Sequence, residues 1–152
     1  GTDNITESDF VDWGNDEAYV KAIGVGECAG VVIDLVSTLL LEAREKLADA
    51  EDSLKAGKWS DGIYQTYTSM MNAGKAILTA EGVNTNSFAN LVIEFDKQFT
   101  ETGKINLSAS FSDLVYQLKE NQPSEAFALA YYKIAEQVFE AISEYRAKEV
   151  HA

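Results

Sequence analysis

The spacing of its apolar residues restricts the fold of this chain more than any other feature. Val31, Leu35, Leu39, Ala43, Leu47, Ala50 and Leu54 recur at intervals of three or four, the step that lines up side chains on one face of an α-helix. A strand needs alternation by two, and only the few residues around Ile105-Asn106-Leu107 leave room for one. The stripe predicts a long helix over 27–56, stopped at Gly57. Its first half is apolar nearly all round and is expected to be central; its half-polar second half is expected to be peripheral. A short amphipathic piece over 16–23 and the turn Gly24-Val25-Gly26 come before it.

The punctuation of the remaining chain is equally helical. Ser60 reads as the N-cap of a second helix, with Asp61 favourable at the positive end of its dipole. Ile63, Tyr67, Met70, Met71, Gly74, Ile77 and Leu78 form its stripe, and Gly82 ends it. Gly74 is costly inside a helix and marks an expected close approach of a neighbour. A shorter helix is expected after a cap near Ser87, carrying Leu91, Val92, Phe95 and Phe99, and another over 111–120. Pro123, the single proline, stands where a helix can begin but not continue. It opens a last long helix with Phe127, Tyr131, Ile134, Val138, Ala141, Ile142 and Tyr145 facing inward. Short connections favour antiparallel neighbours. The expected fold is therefore all-α, an antiparallel up-and-down helical bundle of two to three long helices plus shorter ones. Residues 18–150 form one domain on this reading, behind an acidic leader or linker over 1–17.

Charge narrows the functions open to such a bundle. Twenty-five acidic residues against 12 basic ones give a net charge of -13. Nucleic-acid binding relies on Lys and Arg to displace counterions from phosphates, and the arginines here are Arg44 and Arg146 alone. Nucleic acid and anionic membrane surfaces are accordingly not expected partners. The most apolar stretch, 31–41, contains Asp34 and is too short to cross a bilayer, which takes roughly 20 apolar residues. Cys28 is the lone cysteine, so no internal disulfide or four-thiolate cluster can form, and a reducing cytoplasm is the expected setting.

Most catalytic constellations fail on residue supply. His151 is the only histidine and lies one residue from the C-terminus, where catalytic geometry is hard to hold. Gly24-Val25-Gly26-Glu27-Cys28-Ala29 fits the loose Gly-x-Gly-x-x-Gly/Ala string, and amides at a helix start can face an anion. A tight turn into the helix accounts for the same string, because no βαβ pattern surrounds it. Asp34 and Lys75 stand out more, as charges within or beside apolar faces. Asp34 is either partly exposed or held by a hydroxyl, with Lys75 snorkelling, or both help to line a polar pocket between helices. In that pocket Tyr64, Tyr67 and Tyr131 would supply amphipathic walls.

The stretch Leu47-Ala48-Asp49-Ala50-Glu51-Asp52-Ser53-Leu54-Lys55-Ala56-Gly57-Lys58-Trp59-Ser60-Asp61-Gly62-Ile63-Tyr64, continuing to Lys75-Ala76-Ile77-Leu78, resembles the HEPN family. Its characteristic reading is a helix ending Ala-x-x-x-Leu-x-x-Gly, an aromatic turn, and a helix finishing Lys-Ala-Leu/Ile-Leu. The last helix, with Tyr131, Ala128, Ala130 and Ala135, is similar too, so the resemblance covers residues 27–148. It implies an antiparallel helical bundle, often dimeric. Ribonucleases of this family carry Arg, followed a few residues later by His, near the start of the last helix. Here that place reads Glu120-Asn121-Gln122-Pro123-Ser124-Glu125, with neither residue. Arg146-Ala147-Lys148-Glu149-Val150-His151 has the spacing at the wrong end.

A narrower likeness lies in Asp12-Trp13-Gly14 and Ile23-Gly24-Val25-Gly26-Glu27-Cys28-Ala29-Gly30-Val31-Val32-Ile33-Asp34. These segments resemble the HEPN-type extension at the C-terminal end of some bacterial assimilatory sulfite or nitrite reductases. The likeness implies an excised, non-catalytic accessory or oligomerisation domain, with its partner a second copy or another domain of the same polypeptide. No cofactor is then expected in this part; sirohaem and an iron–sulfur cluster would reside in the rest of the parent. The alternative from the wider family is a nucleotide- or small-molecule-binding domain with ribonuclease-type ancestry.

Overall fold

The structure, a computed structural model, describes residues 25–151, with side chains described over 32–149. The expected leader, the 16–23 piece and the boundary between residues 17 and 18 lie outside the described residues. The chain divides into two compact units, Gly1–Leu35 and Val36–Ala152. Within the described residues the first unit is helical from Val25 onward, and both Ile33 and Asp34 are exposed on that helix. Val25 and Gly26 are thus already helical, not part of the expected turn.

The second unit is an all-α bundle without strands among the described residues. Helix α1 (Val25–Lys55) enters it at Val36, α2 is Trp59–Ala80, and α3 is Phe88–Phe95, continued by a π-helical turn over Asp96–Thr100. Helix α4 (Phe111–Val115) runs on into a 3-10 turn, Tyr116–Lys119, and α5 is Glu125–His151. Gly57 and Gly82 follow α1 and α2 with φ of 76° and 77°, the left-handed conformation that ends helices at little cost only for glycine. Ser60 is not the N-cap of α2; the helix already begins at Trp59, and Lys58 occupies the cap without a side-chain bond. Ser87, Ser110 and Ser124 do cap, accepting hydrogen bonds from the amides of Asn90, Asp113 and Phe127, each a contribution of about 1 kcal/mol.

Helices α1 and α2 form an antiparallel hairpin drawn close by small residues. An added Cβ on Gly62 would lie 2.6 Å from Leu54 Cδ2. Ser69 Oγ donates to the Ala43 carbonyl at 2.7 Å, and Ser53 Oγ to Gln65 Oε1 at 2.7 Å. Ala43, Leu47, Ala50 and Leu54 are all buried. The second half of α1 is therefore core, not periphery: the small residues of α2 bring the two helices into contact, and a face alternating Ala and Leu suffices to fill the space. Leu41, in the more apolar part, is exposed instead.

On its other side α2 packs against aromatic bulk. Phe95, Phe99 and Phe111 are fully buried, with Phe95 stacked on Phe111 at 4.2 Å between centroids. A Cβ on Gly74 would come within 3.1 Å of Leu91 and 3.2 Å of Phe111, the close approach its position predicts. Helix α5 runs in the same direction as α2: Tyr131 lies near Tyr67, and Tyr145 hydrogen-bonds Glu81. It runs antiparallel to α1, since Arg44 stacks over Phe139 while Glu51 lies near Tyr132. The two shorter helices return the chain between α2 and α5, which is what gives these helices a common direction.

Candidate functional site

Four of the five residues expected to line a pocket belong to the second unit, and the structure uses them differently. Tyr131 is fully buried in α5, stacked on Phe127 at 5.1 Å. Its hydroxyl donates to the Val115 carbonyl at 2.6 Å, tying the end of α4 to α5. Burial, and then the neighbouring Tyr67, hold its ionisation far above the usual tyrosine range.

Lys75 is half-buried on α2, and its ammonium donates to both the carbonyl and the hydroxyl of Thr85, each at 3.0 Å. Burial lowers its pKa to about 8. It clasps the 81–87 connection against α2 and so sets where α3 begins. Asp34 belongs to the first unit and is exposed, so its carboxylate stays hydrated and needs no protein partner.

Among the described residues the tyrosines do converge, with exposed ring surface among them. Tyr67 is the hub: half-buried on α2, it meets Phe88 edge-on at 5.9 Å. Burial, then Tyr116 and Tyr64 close by, raise its pKa. Tyr64 is 68% exposed one turn earlier, and Phe88 is 50% exposed at the first residue of α3. Lys119 completes this face, with its Nζ 4.1 Å from the centre of the Tyr116 ring. Phe88 and Tyr116 were not foreseen as members. No periodicity marks them, because both sit at the edges of short elements.

A buried carboxylate does exist, at Asp96. It accepts hydrogen bonds from the Phe111 amide at 2.7 Å, the Ser112 amide at 3.1 Å and the Thr100 hydroxyl. Two orphan amides at the start of α4 are thus satisfied by one side chain. The sequence signal is ambiguous: Asp96 interrupts the apolar face of Val92, Phe95 and Phe99 just as Asp34 interrupts 31–36.

A shallow depression of about 550 Å³ lies between α1 and α5, lined by Arg44, Leu47, Lys133, Glu136, Phe139 and Glu140 among others. None of the expected site residues lines it. Among the described residues no group of three or more His, Cys, Asp or Glu is placed to hold a metal, and no helix is long and apolar enough to cross a membrane. No protein-family model matches the chain, and no curated protein matches it significantly.

Proposed function

We propose that this chain is a non-catalytic helical accessory module that works by contacting a partner through its outer surface. One contrast carries the reading. The polar side chains turned inward, Asp96, Tyr131 and Lys75, are each engaged with backbone groups of the fold, while aromatic surface at Tyr64 and Phe88 is left exposed. Buried polar groups consumed in this way hold elements together. Exposed aromatic surface gathered in one place, here around Tyr67, is characteristic of protein interfaces.

The finer reading is that the module is the C-terminal part of a cytoplasmic sulfite or nitrite reductase. It rests on the likeness of 12–14 and 23–34 to the HEPN-type extension of those enzymes. Sirohaem and the iron–sulfur cluster then belong to the parent's other part, and the partner is another domain of the same polypeptide or a second copy. Cysteine spacing of the sirohaem type encoded upstream of Thr2 in the native reading frame supports this; its absence there removes the reductase assignment.

Thermal denaturation with and without nucleotides tests the accessory reading itself. Ligands that bind only the native state raise its melting temperature. The expected outcome is no shift with any nucleotide. A specific shift overturns the accessory reading in favour of a nucleotide-binding domain.

A further inference from the structure

We infer that the aromatic face around Tyr67 docks a basic, arginine-bearing segment of a partner polypeptide. The inference rests on the accessory reading and names the chemistry of its partner. Tyr64 and Phe88 expose ring surface next to Tyr67, and carboxylates accompany Tyr64 and Tyr116 along their own elements. Asp61 precedes Tyr64 by one helical turn on α2, and Asp113 stands in the same relation to Tyr116. Glu120 follows Tyr116 by four residues, and all three carboxylates are exposed.

Residues three apart on a helix are surface neighbours, so Tyr64 and Tyr116 each have an acidic neighbour, in Asp61 and Asp113, whereas Phe88 has none in the first turn of α3. The ion pairs of the described residues, Lys55–Glu51 and Lys97–Glu94, leave Asp61, Asp113 and Glu120 unengaged.

Rings flanked by unengaged carboxylates match one side-chain chemistry closely. A guanidinium stacks on an aromatic face and pairs with a carboxylate through its planar edge. The fold already contains a cation in this setting, Lys119 over Tyr116. The net charge of -13 steers a basic segment toward the surface. The same charge opposes a second copy, which brings another strongly acidic surface to the contact.

The test titrates the 152-residue chain with a short peptide of alternating Arg and Ser, and with counterparts carrying Lys or Glu in place of Arg. Binding is read by calorimetry and by the amide shifts of 61–67, 88 and 113–120. The Arg peptide is expected to bind best, the Lys peptide more weakly and the Glu peptide not at all, with affinity falling as salt rises. Tyr64→Ser is expected to weaken the Arg peptide about tenfold by removing a stacking surface. Asp61→Asn, which keeps every ring, should weaken it less.

Equal binding of Arg and Glu peptides, no binding, or shifts confined to other helices overturns the inference. Self-association abolished by Tyr64→Ser also overturns it and assigns the face to a second copy. Those results leave the accessory reading standing, whereas a nucleotide-dependent melting shift removes the reading beneath it.

Discussion

Helix α3 joins two regions that reverse the usual distribution of polar and apolar groups. At its first residue Phe88 is half exposed against Tyr67; just past its end Asp96 is buried. A carboxylate inside and an aromatic ring outside each carry a cost unless something compensates. At Asp96 the compensation is visible, because two amides and a hydroxyl converge on it. At Phe88 it is only partial, through Tyr67. The Asp96 region is complete within the fold, and the Phe88 region is the one proposed to meet a partner.

The largest expected effect breaks the closed region. Asp96→Ala removes the shared acceptor of the Phe111 and Ser112 amides and should destabilise the fold by about 3 kcal/mol, measured by chemical denaturation, since each buried unsatisfied group costs roughly 1–3 kcal/mol. Tyr131→Phe comes next. It leaves the Val115 carbonyl without its donor and should cost about 1–2 kcal/mol.

Lys75 extends the comparison through pH, because its bonds to Thr85 fix the connection that leads to Phe88. Its folded pKa of about 8 lies below the ordinary value of 10.5. Below pH 8 both states are protonated and the burial penalty is fully present. Between pH 8 and 10.5 the unfolded chain binds more protons than the fold, so stability rises with pH. The side chain remains partly exposed, and after allowance for solvent screening the gain should be about 1 kcal/mol. The rise appears as a difference between the parent chain and Lys75→Met. Tyr131 and Tyr132, whose pKa values are raised in the fold, act with the opposite sign above pH 10, when unfolded tyrosines ionise first. The smallest expected effect is that of Asp34→Asn, within about 0.5 kcal/mol by the same denaturation measurement, as befits an exposed site.

The helices were legible because their apolar faces repeat at the helical period and Gly57, Gly82, Ser87 and Pro123 punctuate them. Gly74 was legible for the same reason, and Gly62 could have been found by the same rule, since both are helix-interior glycines. The choice of buried acid was not. Asp34 and Asp96 both interrupt apolar stretches, and what separates them is the supply of backbone donors, which α4 brings to Asp96 from far along the chain. The exposed face was half legible. Tyr64 and Tyr67 share a helix, but Phe88 and Tyr116 reach Tyr67 only after the Lys75–Thr85 clasp and the turn following α4 fold the chain back. Pairings that tertiary return alone creates leave no local period to read.

The central claim is that inward polar groups hold the fold and the outward aromatic face does not. Its most direct test is the unfolding free energy of the Tyr64→Ser/Phe88→Ser double variant beside that of Asp96→Ala. The expected loss for the double variant is about 1–2 kcal/mol, from the edge-on contact with Tyr67 and the buried half of Phe88, with Asp96→Ala more damaging. A double variant as unstable as Asp96→Ala would make the aromatic face part of the core and contradict the account.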